Sequence, residues 1–475
     1  MKVKKILVSQ PAPAVAEKSP YHELVLKHRV DVRFHPFIKL EGVTLKEFRS
    51  QRVEILEHSA VIFTSRTTID NFFLKRHQRA ITQAQARRRE LKAKSSKAYI
   101  PPLTLAFDST SISTYSGTID HAEYGYAKRD PHLKQVNLAL ACDQDTGEVV
   151  YACEYFGSID DKTSFKPVLE RMQKVGFDMS ETLLITDRGY KSMSNIQKQL
   201  DVGFKFLQCT PLNEKSVRAL IDKHSYQLKG IEFYEPKYRC SAVALPTEEC
   251  ESWSQCLPGS GSTQSVKVSA YLYYDDHKAV DEKHCEMAAI DRVLELKNAG
   301  SQVDAALWQE YRSCVQETQN HKGESVWVRK NQGIAQRLKY SGCMALRTNE
   351  VPNPFKALEL YRQRNAVECS YRVFKNQIEG DRMLATQTSY RGKLFVFTLA
   401  TCLRTMMRVK AEAQAKEFNL KIPGNSLSQV FEILRGVTMQ RWGSTDSWRI
   451  NMLTRKQREC FALFGMTPIR GTRKD

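Results

Sequence analysis

Apolar and polar positions change period several times along the chain, and each change marks a different kind of element. Within residues 44–57, and again within 68–94, apolar side chains recur at helical spacing, so residues 21–98 are predicted to be mainly helical. At Leu103 the period drops to two. Leu103, Leu105 and Phe107 alternate with Thr104, Ala106 and Asp108, as a strand sorts its two faces. Residues 135–142 and 148–155 read as two more strands, joined across Asp145, Thr146 and Gly147, a hairpin signal. A helix is predicted over 161–175 and a short apolar strand over 182–186, running into Asp187. Then come a helix over 192–200 and a strand over 204–209. Strands alternating with helices imply an α/β layer.

Residues 211–345 break that rhythm. Stretches 226–245 and 266–274 are β-like and rich in Tyr and Val, 258–262 is a Pro-Gly-Ser loop, 277–319 looks helical, and 325–347 returns to short strands. The segment reads as a β-rich insertion. The chain re-enters the α/β layer with a long helix over 354–376 and another over 389–418, and residues 425–470 read as short basic helices. The expected organisation is a flexible, Pro/Ala-rich 1–20; a helical basic region 21–100; a core in two parts, 101–210 and 346–418, around the insertion 211–345; and a basic helical region 419–475.

Composition narrows the class. Of 475 residues 41% are hydrophobic, which excludes a disordered or collagen-like chain. The longest uncharged apolar run, residues 394–403, is half of the roughly 20 residues a membrane span needs. The apolar stretch at residues 6–8 is far too short for a secretory signal. Twelve cysteines include no Cys-x-x-Cys pair, so thiols in a reducing compartment are expected rather than a zinc site. A soluble cytoplasmic protein follows.

The net charge of +19 is concentrated at the ends. Residues 1–100 hold 21 basic and 9 acidic groups, and residues 351–475 hold 22 and 10, each a balance of +12; residues 101–350 carry −5. Two basic ends around an acidic middle suggest a polyanionic partner. The densest cluster includes Lys75, Arg76, Arg79, Arg87, Arg88, Arg89, Lys92, Lys94 and Lys97, with Glu90 the one acid among them. A solvated helix would mix signs more freely, so Arg87, Arg88 and Arg89 are expected to touch DNA phosphates.

Three acids carry the candidate chemistry. Asp108 is expected to end a strand, with Ser109 and Thr110 turning at the sheet's edge, and Asp187 ends another before Arg188, Gly189, Tyr190 and Lys191. Either alone reads as a helix cap or turn former. Two on strands of one α/β unit can gather hard divalent cations. On the long helix, Tyr361, Arg364, Glu368 and Lys375 stand at offsets 0, +3, +7 and +14. At about 100° per residue they share an arc of about 60°. A solvated i,i+4 pair explains Arg364 with Glu368, but not a stripe that extends to Tyr361 and Lys375.

Tyr-x2-Arg-x3-Glu-x6-Lys resembles the YREK signature of bacterial DDE transposases of the insertion-sequence-four type. Residues 341–349 resemble the strand that leads into it; Asp187, Arg188, Gly189 and Tyr190 resemble the second-aspartate motif, and Phe107 to Thr110 the first. The likeness covers roughly residues 100–410, with the motifs in the expected order. It implies an α/β, RNase H-like catalytic core interrupted by a β-rich insertion. Asp108, Asp187 and Glu368 would be the catalytic triad, holding two Mg2+ ions, with Mn2+ an acceptable substitute. Tyr361, Arg364 and Lys375 would contact DNA near the cleaved phosphate, with Arg188 and Lys191 as further contacts. The partners implied are double-stranded DNA at transposon ends and target, and a second copy of the chain in the DNA complex; no membrane is implied, and a nucleoid-associated bacterial protein is the expectation. Two rivals are a transposase-derived DNA binder without catalysis, which the presence of all three acids opposes, and an RNase H-like nuclease, which the stripe and the insertion oppose.

Overall fold

The computed structural model describes residues 5–8, 21–35, 66–96, 99–126, 130, 132–256, 263–319, 321, 323–441 and 448–466. The chain divides into two units, residues 1–74 and 75–475. In the first, β1 (Lys5–Val8) pairs in parallel with β2 (Asp31–Phe34), which follows a short helix α1 (His22–His28). β1 lies in the stretch expected to be flexible. The helix expected over 44–57 lies outside the described residues. The second predicted helix forms as α2 (Arg66–Lys94), which spans the boundary between the units.

In the second unit the two-residue period of the sequence becomes β3 (Leu103–Thr114), β4 (Lys134–Asp143) and β5 (Val149–Phe156), paired antiparallel in that order. Helix α3 (Asp161–Val175) starts where the Asp160 carboxylate accepts from the Thr163 amide. It stops at Gly176, whose φ of 103° is a left-handed conformation that glycine adopts without strain. Next come β6 (Thr182–Thr186), α4 (Met193–Val202) and β7 (Lys205–Thr210), with β3, β6 and β7 parallel. All five residues of β6 are buried because it is covered on both faces. Leu184 packs in one core with Leu105, Phe107 and Phe165, while Leu183 and Ile185 pack in another with Leu346 and Leu358.

The 211–345 segment is mixed rather than simply β-rich. It contains α5 (Lys215–Lys223), α6 (Ser225–Lys229), β8 (Tyr234–Glu235), β9 (Cys240–Ala244), β10 (Glu251–Cys256) and β11 (Thr263–Tyr274). The run expected to be helical over 277–319 divides into α7 (Asp276–Asn298) and α8 (Ala305–Tyr311) and ends in β12 (Val315–Gln319), which pairs with β13 (Ser325–Arg329). After α9 (Asn331–Leu338), β14 (Cys343–Thr348) returns to β7. The result is one ten-stranded mixed sheet, ordered β5-β4-β3-β6-β7-β14-β11-β9-β8 with β10 on β11.

Two expectations are corrected. Asp108 does not end its strand: β3 continues to Thr114, so the acid stands mid-strand. The long helix is not continuous: α10 (Pro354–Arg362) and α11 (Asn365–Arg372) are separated at Gln363–Arg364, and Val373–Gln377 is a widened π turn. The break has a packing cause. Helix α10 lies against β7 and β9, whereas α11 lies against β3 and β4. A twisted sheet turns its strands by about 20–25° each, so one straight helix cannot follow both. Bonds from Arg364 N to Tyr361 O (3.0 Å) and from Val367 N to Arg364 O (3.1 Å) tighten the junction. Helix α12 (Gln387–Glu417) follows, then α13 (Leu427–Arg435), a small antiparallel pair β15 (Met439–Arg441) and β16 (Trp448–Ile450), and α14 (Arg455–Ala462). No helix among the described residues is long and apolar enough to cross a membrane.

Candidate active site

The alternation of strand faces decides where the two aspartates point. Leu103, Leu105 and Phe107 enter the core beneath α3, so Asp108 turns to the opposite face, toward α10 and α11. Asp187 continues the parity of Leu183 and Ile185, which pack with Leu358 and Leu360 of α10. Register then relates the two acids. Ala106 pairs with Ile185 at the last rung of the parallel strands β3 and β6, and Asp108 and Asp187 each lie two residues beyond that rung. Neighbouring strands are about 4.8 Å apart.

At Asp187 the chain leaves the sheet through a single tight turn, Arg188–Tyr190. The Oδ1 of Asp187 accepts from the Arg188 amide at 2.7 Å and from the Tyr361 hydroxyl at 3.0 Å. Its capping role is therefore real, alongside the one implied for catalysis. Tyr190 anchors the turn: its buried ring meets Phe107 and Phe165 edge-on or tilted, each 5.3 Å away, and its hydroxyl bonds the Ser109 hydroxyl. Tyr371 of α11 fixes the other acid by donating to the backbone carbonyl of Asp108 at 2.7 Å and of Leu138 at 3.0 Å.

Arg364 sits at the break between α10 and α11. Its Nη2 donates to Glu368 Oε1 at 2.6 Å, and its Nη1 is 3.9 Å from Asp108 Oδ2. Its guanidinium carbon lies 5.7 Å from the centre of the Tyr361 ring. Asp108, Glu368 and, through Tyr361, Asp187 thus gather around one cation. The Arg364 side chain is only 14% exposed, against 22% for Asp108 and 45% for Glu368. Burial pushes the Arg364 guanidinium toward losing its proton, but Tyr361, Asp187, Glu368 and Asp108 outweigh it and raise its pKa above the usual value. Burial foremost, then Cys209 and Asp187, raises the Tyr361 hydroxyl, which keeps its proton and remains a donor.

Among the described residues no group of three His, Cys, Asp or Glu stands close enough together to hold a metal ion. Asp108 and Glu368 meet across the guanidinium, while Asp187 is held by Tyr361 and the Arg188 amide. Their chemistry, carboxylate throughout, nevertheless suits a hard divalent cation. A cavity of about 310 Å3 opens beside Glu368, lined by Tyr361, Arg364 and Glu368 together with Cys240, Tyr273 and Met344. The 211–345 segment therefore supplies a wall of the site.

The remaining expected residues separate. Lys375 lies half-buried in the π turn after α11, and Arg188 is exposed beside Asp187. Lys191 is nearly buried in an ion pair with Glu214. Arg87 pairs with Asp143 (3.2 Å) and Glu148 (3.1 Å), Arg88 with Asp145 (2.6 Å) and the Pro101 carbonyl (2.8 Å), and Arg89 with Glu181 (2.6 Å). These three arginines brace α2 against the β4–β5 turn and the start of β6, because acids 56 to 92 residues away fold against them. Sequence reasoning missed Tyr371 and the anchoring role of Tyr190. The available signal for Tyr371 was its place three residues after Glu368, on the same face of a helix.

Residues 100–402 match the family described as the transposase DDE domain. No curated protein sequence matches the chain. Among solved structures, the chain is similar to a piggyBac transposase synaptic complex with hairpin DNA, at 9% identity, a TM-score of 0.30 and coverage of 77% of this chain and 52% of that one. It is also similar to a Mos1 transposase paired-end complex with the left transposon end, at 11% identity, a TM-score of 0.17 and coverage of 40% and 54%. The chain spans about half the length of the structures it matches.

Proposed function

The chain belongs to the transposase DDE domain family, and on that premise we propose that it cleaves transposon ends and joins the freed 3′-OH to target DNA by metal-dependent phosphodiester transfer. DDE transposases generally use divalent metal ions. Asp108, Asp187 and Glu368 would hold two of them, Mg2+ or Mn2+, in an RNase H-like core built on β3, β6 and β7. When bound, the ions supply Lewis acidity to the attacking and leaving oxygens of the phosphodiester.

The chain's own residues do the positioning. Tyr361 and the Arg188 amide hold Asp187, and Tyr371 holds the backbone at Asp108. Arg364, through its planar fork, and Lys375, as a point charge, neutralise phosphate oxygens of the bound duplex. Arg188, exposed beside Asp187, would add a further DNA contact. The basic balance of residues 351–475 adds sequence-independent attraction to double-stranded DNA. Cutting two ends together calls for a homodimer on DNA.

One observation carries this reading: Asp108 and Asp187 each lie two residues beyond the last paired rung of the parallel strands β3 and β6, and Arg364 joins Asp108 to Glu368. The test is a supercoiled plasmid bearing the element's own end sequences, incubated with protein and Mg2+. Nicking at the ends followed by joined products is expected. A mobility shift without nicking would identify a DNA binder instead, and cutting that needs no paired ends and yields no joined products would identify a nuclease.

A further inference from the structure

We propose that Arg364 is a resident counter-ion of the acid cluster, and that a divalent cation gains the carboxylates only as the guanidinium leaves them for a DNA phosphate. The inference rests on the metal-dependent reading above and adds an order to it: the site is closed to metal by its own arginine until DNA draws that arginine away.

The charge count gives the first reason. Two carboxylates, each two residues beyond the same rung of β3 and β6, with a third on the covering helix, repel one another in a partly dry site. Arg364 is a cation within their reach, touching Glu368 at 2.6 Å and standing 3.9 Å from Asp108. A surface i,i+4 pair would not show this arrangement, since Arg364 is largely buried and its second acid comes from a different element. The Tyr361 hydroxyl treats Asp187 differently, because it donates one bond and brings no charge.

Occupancy gives the second reason. A hard cation needs the carboxylate oxygens that the guanidinium now uses, Glu368 Oε1 and Asp108 Oδ2. Arg364 also has somewhere to go. It stands at the break between α10 and α11 and lines the 310 Å3 cavity. A phosphate entering that cavity competes for the same fork, and an arginine held by phosphate no longer blocks the acids. Metal and DNA then strengthen each other's binding by equal factors, as linkage requires. Cleavage chemistry is withheld until both are present.

The experiment titrates the full-length protein with Mn2+, follows binding by electron paramagnetic resonance, and runs with and without a short DNA duplex. Binding at the acids is defined as the part lost in Asp187→Ala. Without DNA, Arg364→Gln should bind Mn2+ on the order of tenfold more tightly than the wild type, the worth of one partly buried charge pair. DNA should tighten Mn2+ binding several-fold in the wild type and hardly at all in the variant. Arg364→Lys, which keeps the charge but not the fork, should fall between, and it serves if the glutamine variant does not fold. Equal or weaker Mn2+ binding in both Arg364 variants would overturn the counter-ion role while leaving the metal reading intact. Absence of acid-dependent Mn2+ binding from every protein, with or without DNA, would overturn the metal reading and this inference together.

Discussion

Two of the places where arginines meet carboxylates in the second unit differ in their proportions. Beside the β4–β5 turn, Arg87, Arg88 and Arg89 face Asp143, Glu148, Asp145 and Glu181, so nearly every charge has a partner of its own. Under α10 and α11 the Arg364 guanidinium pairs with Glu368, lies 3.9 Å from Asp108 and feels the charge of Asp187. Among these named groups the first counts three arginines to four acids and the second one arginine to three.

The largest effect should come from the unbalanced group. Asp108→Ala or Asp187→Ala is expected to reduce plasmid-end cleavage by on the order of a thousandfold or more, because no neighbouring oxygen can replace a metal-binding carboxylate. Thermal stability should stay the same or rise slightly, since each change removes repulsion. A paired cleavage assay and melting curve would check this. Cleavage by either variant at the wild-type rate would erase the distinction between the two regions.

The braced region should instead respond through stability. His77 of α2 is buried against Tyr151, and its Nε2 accepts from the Ala152 amide at 3.2 Å, a bond that only the neutral ring can make. Burial first, and the charge of Arg76 second, lower its pKa to about 3 from an ordinary 6.5. Between these values the unfolded chain binds a proton that the folded chain refuses. The stability His77 contributes is therefore fully present above pH 6.5 and is lost as pH falls toward 3, by about 1.4 kcal/mol per pH unit. Urea unfolding across that range should show the slope, and His77→Gln should flatten it.

How much of this could be read in advance depended on how local each cause was. Strand β6 and helix α3 were legible because burial and capping are written in adjacent residues. The continuation of β3 beyond Asp108 was not, because its buried polar residues are satisfied from afar: Ser109 by Tyr190, and Thr114 by the Met383 carbonyl at 2.7 Å. The break at Arg364 follows from the twist of the sheet beneath it, which no helical period records. Tyr361, Arg364 and Glu368 nevertheless lie together, since i,i+3 and i,i+4 neighbours stay close across one tightened turn. The pairs of Arg87, Arg88 and Arg89 were invisible because their acids lie on other elements.

A smaller effect concerns DNA affinity. Lys375→Ala should weaken binding several-fold and reduce the salt dependence of log K by about one unit of slope, as expected for one lost phosphate contact. Affinity measured at several salt concentrations decides the matter. An unchanged slope would remove Lys375 from the interface.

The smallest effect makes the sharpest comparison. Arg87→Gln removes a guanidinium whose partners Asp143 and Glu148 are largely buried. Asp143 keeps the Thr146 hydroxyl at 2.9 Å and the Asp145 amide at 3.0 Å, so its carboxylate is not orphaned. Because Arg87 itself is 41% exposed, solvent screens the pair, and the expected loss is about 0.5–1 kcal/mol in urea unfolding. The salt slope of DNA binding should not move, because an arginine already neutralised by two acids releases few counterions when DNA arrives. A slope that fell as far in Arg87→Gln as in Lys375→Ala would mean that DNA can draw this arginine out of its pairs. Balance would then be no sign of a structural role, and the α2 cluster would rejoin the DNA-binding surface that its sequence suggests.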